Sequence, residues 1–222
     1  MTNTKAAHAS RNFFLEGSAG RLEAILWTPA SDAQPPLAAL VCHPHPLYAG
    51  TMHNKVVYQA AKTLDTLELP VLRFNFRSAG LSAGKHDHGR GELDDVRAAL
   101  DFLAREFAEV PLLVAGFSFG CRMGLTVGCA DPRVTDLIGL GTPVNSTDFS
   151  FLRNCTKPKL FVHGAHDEHG EIGKLKALVQ SLPGENQLVV VDRADHFFAG
   201  KLDQVDHAIS KWVEQRHPEV TQ

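Results

Sequence analysis

The sequence predicts an open α/β fold, a mostly parallel sheet with helices on both faces and an antiparallel pair of strands at its start. Three observations carry this. Short apolar runs, continuous at 37–42 and predominant at 111–115 and 134–140, read as buried strands. Stretches of helical period alternate with them, as at 54–67 and 92–107. Ahead of these, 12–16 and 21–27 flank Gly17-Ser18-Ala19-Gly20, a hairpin signal. Alternating strand and helix is the pattern that buries a parallel sheet between two helical layers.

The elements follow in order. After the hairpin, a loop at 29–36 leads into the strand at 37–42, which His43-Pro44-His45-Pro46 ends abruptly. The helix at 54–67 carries its apolar stripe on Val56, Val57, Ala60, Ala61, Leu64 and Leu67. A strand at 71–76 is followed by a long polar loop, 77–91, rich in Gly, Ser and His. The helix at 92–107 turns Leu93, Val96, Ala99, Leu100 and Leu103 inward. The strand at 111–115, a turn at Ser118 and a helix to about Ala130 come next, then strands at 134–140, 159–163 and 187–191 and helices at 171–182 and 201–215. The stretch between the strands ending at 140 and starting at 159 is too short for an inserted lid, though 146–154 has room for a short helix. No repeat, linker or low-complexity tract divides the chain, so residues 1–222 read as one domain.

The chemistry centres on Gly116-Phe117-Ser118-Phe119-Gly120, between a predicted strand and a predicted helix. A serine on so sharp a turn is pushed toward unfavourable backbone angles, and its neighbours two positions away must be very small. The turn exposes the hydroxyl and aims the free N–H groups of the helix start at whatever the serine attacks. A hydroxyl is a poor nucleophile unless a base takes its proton. The base is expected at the carboxyl edge of another strand, where sites gather in open parallel sheets. His196, just past the strand at 187–191, fits. A carboxylate must orient that histidine. Asp167, in the turn after His163-Gly164, is the candidate; Glu168, Asp192 and Asp195 are rivals. Asp195 adjoins His196, so its side chain should diverge from it, and Glu168 should face solvent.

With these residues in place the chain resembles small, lidless bacterial members of the α/β-hydrolase superfamily. The resemblance rests on His43-Pro44-His45-Pro46, Arg73-Phe74-Asn75-Phe76-Arg77-Ser78-Ala79-Gly80, Gly116-Phe117-Ser118-Phe119-Gly120, His163-Gly164-x-x-Asp167 and Asp195-His196-Phe197-Phe198, in that order along nearly the whole chain. One departure is Ser78, where glycine is more usual. The resemblance implies an α/β-hydrolase fold without a lid and a Ser118-Asp167-His196 triad, which is the superfamily's chain order. The resemblance does not fix the substrate; its characterised members act on simple carboxylic esters or thioesters, so such a hydrolase working through an acyl-enzyme is the expectation, with a peptidase-like hydrolase on the same triad and a non-catalytic binding protein on the same fold as the alternatives.

Acyl transfer also needs donors for the developing oxyanion, each worth roughly 3–4 kcal/mol. The N–H of Phe119 should be the first. The second should come from the loop after the strand at 37–42, where Pro44 and Pro46 have no N–H, leaving His45 and Leu47. The resemblance favours His45. The two prolines should stiffen this loop, and either X-Pro bond is a candidate for cis. An open, shallow acyl pocket is expected from Leu47, Tyr48, Phe117, Phe149, Phe151 and Phe197.

Other classes fall away. The chain of 222 residues has a formal charge of −3, which gives no electrostatic reason for nucleic acid or anionic lipid as partner. The polar start at 1–11 has no apolar core of a signal peptide, and no apolar run approaches the roughly 20 residues of a membrane span. Cys42, Cys121, Cys129 and Cys155 show no CxxC spacing, as expected of reduced thiols in a cytoplasmic protein, monomeric or homodimeric. The histidines at 43/45, 86/88 and 163/166/169 lack the helical spacing of a zinc site, so no metal and no cofactor is expected. The glycines at 80 and 84 do not open a helix after a strand, which argues against a nucleotide site. Arg73 and Arg77 are expected to brace the loop beside the site.

Overall fold

The computed structural model describes residues 9–30 and 34–221; residues 1–8 of the polar start and 31–33 of the loop expected at 29–36 lie outside them. Eight strands form one sheet in the order β1-β2-β4-β3-β5-β6-β7-β8. The strands are β1 (Ala9–Gly17), β2 (Gly20–Thr28), β3 (Ala38–Cys42), β4 (Val71–Phe74), β5 (Leu112–Phe117), β6 (Val134–Leu140), β7 (Lys159–Gly164) and β8 (Asn186–Val191). The β1–β2 and β2–β4 pairings are antiparallel and the rest parallel, so β2 is the strand that runs against the others. This matches the architecture expected from the sequence, and among the described residues five α-helices surround the sheet: α1 (Lys55–Thr66), α2 (Arg90–Glu106), α3 (Phe119–Ala130), α4 (Ile172–Gln180) and α5 (Leu202–Arg216).

The strands read as continuous apolar runs because both faces are covered. Along β5, Leu112 and Val114 join a core with Val96, Leu100 and Leu103 of α2 and Leu125 of α3. Leu113, Ala115 and Phe117 point the other way, to Val57, Ala60 and Leu64 of α1 and Ile209 and Trp212 of α5. Each full burial of a Leu, Ile or Val side chain contributes about 1.5–3 kcal/mol. No described helix is long and apolar enough to cross a membrane.

Two loops leaving the sheet matter for the site. The loop after β4 runs through Ser78, whose φ is +68°; glycine adopts that conformation without the Cβ penalty, which accounts for its usual place here. Arg77 pins this loop through a bidentate pair with buried Asp95 of α2 (2.7 Å for Nη2–Oδ1 and 3.0 Å for Nε–Oδ2). Buried Glu92 fixes its far end by accepting the N–H groups of Asp87 (2.9 Å) and Gly89 (2.8 Å). Arg73 donates to the Met52 carbonyl (3.0 Å) under the Trp27 ring (centroid 4.1 Å), so both arginines brace loops as expected.

Candidate active site

The turn between β5 and α3 is held by close backbone approach. Ser118 has φ +56° and ψ −116°, a conformation that costs a non-glycine residue on the order of 1–3 kcal/mol. Its N–H is tied to the Leu140 carbonyl of β6 (3.0 Å). The two flanking glycines make the turn possible. A Cβ on Gly116 would lie 2.3 Å from the Gly120 carbonyl oxygen, and one on Gly120 would lie 2.4 Å from that of Cys42. Backbone meets backbone at both points, so no side-chain rotation could relieve either clash.

Above this turn the structure brings together Ser118, His196 and Asp167, from the ends of β5, β8 and β7. His196 Nε2 lies 3.0 Å from Ser118 Oγ, and His196 Nδ1 lies 2.8 Å from Asp167 Oδ2. The other carboxylate oxygen, Oδ1, accepts the N–H groups of His169 (2.8 Å) and Gly170 (3.2 Å). Burial alone would raise the Asp167 carboxyl. The hydrogen bond and charge of His196, with His163 and the His169 N–H, outweigh burial and hold it below the usual carboxylate range. A carboxylate so held accepts Nδ1–H and leaves the Nε2 lone pair facing the serine, ready to take its proton. The Phe117 ring lies under the imidazole (centroids 4.9 Å) and His169 packs edge-on against it (4.5 Å), which limits its rotation.

The rival carboxylates are engaged elsewhere. Asp195 turns back to accept the N–H groups of Phe197 (3.1 Å) and Ala199 (3.0 Å). Asp192 pairs with Arg193 at the surface, and Glu168 is exposed beside His169. Cys121 is buried beneath the turn; burial pushes its thiol up to about 12, so it stays protonated.

Phe119, first residue of α3, and His45, which precedes the short 3-10 turn Pro46–Tyr48, line the cavity with Ser118, and neither N–H has a partner among the described hydrogen bonds. The Leu47 N–H is taken by His45 Nδ1 (3.2 Å), which removes it as the alternative donor. Every described peptide bond is trans, so neither proline here is cis.

A residue that sequence reasoning used only as part of a motif, His43, holds this loop. It is fully buried, accepts the Phe76 N–H at Nε2 (2.8 Å) and donates Nδ1–H to the Pro44 carbonyl (2.6 Å). Burial pushes its pKa down to about 3. The unfolded chain takes up a proton near the ordinary value of about 6.5 and the folded chain does not. The stabilisation is therefore present above pH 6.5 and is lost as pH falls toward 3, by up to about 1.4 kcal/mol per unit. His163, also buried and lowered by that burial, adds with the same sign. His43→Phe removes the titrating group and leaves the Phe76 N–H unpaired. We expect it to cost about 1–3 kcal/mol at pH 7 and to remove about 2 kcal/mol of the stability lost between pH 7 and pH 5. Urea unfolding midpoints of both proteins at the two pH values measure this. Equal pH dependence would show that His43 is not held neutral.

A cavity of about 870 Å³ opens over Ser118, with His45, Tyr48, Phe119, His196 and Phe197 around it. Tyr48 and Phe197 line it as expected, but four expected pocket residues differ. Leu47 points to solvent, 61% exposed, because the 3-10 turn rotates it off the cavity. Phe117 is the last residue of β5, and strand alternation sends it into the α1/α5 core beneath His196. Phe149 is buried, since it starts the turn Ser150–Asn154 and packs on the opposite core. Phe151 packs against that same core and carries the guanidinium of Arg122 over its ring (4.6 Å). In their place the cavity takes His86, His88 and Arg90 from the loop after β4 and the start of α2, Arg122 and Met123 from α3, and Ser146 and Thr147 after β6. Sequence periodicity carried no signal for His86, His88, Ser146 and Thr147, which lie on loops. Among the described residues no three His, Cys, Asp or Glu side chains converge as a metal site would require.

Fold and site together define a hydrolase-type serine site at the carboxyl edge of a parallel sheet. The chain belongs to the α/β-hydrolase family: residues 39–215 match the family described as alpha/beta hydrolase domain. It is 37% identical over 209 residues to an uncharacterised protein of Rickettsia prowazekii, covering 90% of this chain and 87% of that one. It is similar to an alpha-beta serine hydrolase homologue from Coxiella burnetii, with 35% identity, TM-score 0.85, and 95% and 97% of the two chains covered. A serine hydrolase without lid from Xanthomonas campestris is 35% identical with TM-score 0.86, covering 96% and 97%. These neighbours support hydrolase activity for this chain.

Proposed function

We propose that the chain is a serine esterase that cleaves small carboxylic esters, or thioesters, through an acyl-enzyme. The observation that carries the reading is the hydrogen-bonded series from Ser118 through His196 to Asp167, 3.0 and 2.8 Å in length. Ser118 Oγ attacks the acyl carbonyl while His196 Nε2 takes its proton. Asp167 stabilises the resulting imidazolium, and the N–H groups of Phe119 and His45 receive the oxyanion. His196 then returns the proton to the leaving oxygen or sulfur, and water repeats the sequence to release the acid. No cofactor takes part in these steps. The open cavity and the short 141–158 connection favour acyl groups of short to medium length over long buried chains.

A fluorophosphonate probe tests the proposal, because it phosphonylates only a serine with an activated hydroxyl. We expect stoichiometric labelling of wild type, located at Ser118 by peptide mapping, and blocked by prior turnover of a slow ester. A folded protein that stays unlabelled would instead be a binding protein on this fold.

A further inference from the structure

The cavity over Ser118 has a charge of one sign. Among the described residues, no Asp or Glu lines it, although the chain as a whole has 25 acidic and 22 basic residues. Two arginines do line it, and they differ. Arg90 is 80% exposed at its side chain and already paired with Asp87 (3.0 Å). Arg122 is half-buried one helical turn beyond Ser118, its N–H bonded to the Ser118 carbonyl (3.3 Å). Arg77, Arg133 and Arg216 all pair with carboxylates, whereas Arg122 has no ion-pair partner among the described residues. Its head is held by the Phe151 ring (4.6 Å) and by the Thr126 hydroxyl, and exposed Asp148 is the carboxylate nearest in influence. Ser146 and Thr147 lie on the same cavity, with no side-chain hydrogen bond among the described residues to occupy their hydroxyls. A fixed guanidinium without an ion-pair partner, on a cavity that also carries two hydroxyl side chains, suits the two oxygens of a carboxylate.

We infer that Arg122 reads a carboxylate on the substrate, so that the preferred esters are half-esters of dicarboxylic acids rather than neutral acyl esters. The inference rests on the esterase reading above and names its substrate class.

The test compares the mono-p-nitrophenyl ester of adipic acid with its methyl-capped counterpart, which has the same chain without the charge. Wild type should prefer the charged ester by about tenfold in kcat/KM, and the ratio should fall toward one as salt is raised. Arg122→Met should abolish both the preference and its salt dependence, and Arg122→Lys should keep part of each. Adipate should compete with the neutral ester better than inorganic phosphate does. A wild-type ratio near one, or a ratio unmoved in Arg122→Met, would overturn the inference while leaving the esterase reading standing; stronger competition by phosphate would overturn the choice of carboxylate. Failure of wild type to cleave either ester or to take the fluorophosphonate label would sink the esterase reading and this inference with it.

Discussion

Ser118→Ala should reduce kcat/KM for p-nitrophenyl acetate by about 10⁴-fold or more, to the rate of the buffer plus a small residue from the oxyanion donors. The hydroxyl supplies the one atom that forms the covalent bond, and nothing nearby can replace it. Cys121 is buried and protonated, and the buried Thr142 hydroxyl is against its sulfur (3.7 Å). Stability should not fall with activity. Alanine keeps the Cβ already tolerated at φ +56°, and the lost hydroxyl has only His196 as its described partner. Thermal unfolding and initial rates on the same preparation separate the two effects. Turnover that survives the substitution would mean that another group does the chemistry.

Gly120→Ala should be as damaging, through the fold. The added Cβ would stand 2.4 Å from the Cys42 carbonyl oxygen and 2.5 Å from that of His43. One atom ends β3, a central strand, and the other is the next residue of the chain, so α3 must lift off the sheet. Overpacking against backbone should cost about 3 kcal/mol or more, a fall of about 10 °C in Tm. The same shift would pull Ser118 and the Phe119 N–H away from His45, so residual folded protein should be inactive. Gly173→Ala in α4 is the control. Its Cβ would meet only the end of the Glu171 side chain at 3.2 Å, and alanine there should be neutral or mildly stabilising.

The fold and the Ser118–His196–Asp167 constellation were legible because each rests on local rules. Buried parallel strands are apolar along most of their length, so β3 and β5 announce themselves, and β6 does so after Asp136. A serine at a strand-to-helix turn demands Gly116 and Gly120, and the topology then gathers the ends of β7 and β8 beside it. The walls of the cavity were not legible. Phe149 and Phe151 read as pocket residues by composition, but the turn Ser150–Asn154 turns one into the core and sets the other under Arg122. The loop after β4 has no period to read. It closes beside the site because buried Glu92 and the Arg77–Asp95 pair hold its backbone, a long-range arrangement that spacing cannot reveal. His43 was visible as part of a motif, yet its tautomer depends on Phe76, a residue of another strand's exit.

The central claim is that catalysis passes through a covalent ester on one serine. Wild type mixed with p-nitrophenyl acetate, quenched in acid within the first turnovers and digested, should carry one acetyl group on the peptide containing Ser118, with a matching burst of nitrophenol; the Ser118→Ala protein should show neither. An acetyl group found on any other residue as the turnover intermediate, or steady wild-type turnover of p-nitrophenyl acetate with no acyl group ever trapped on Ser118, would contradict it.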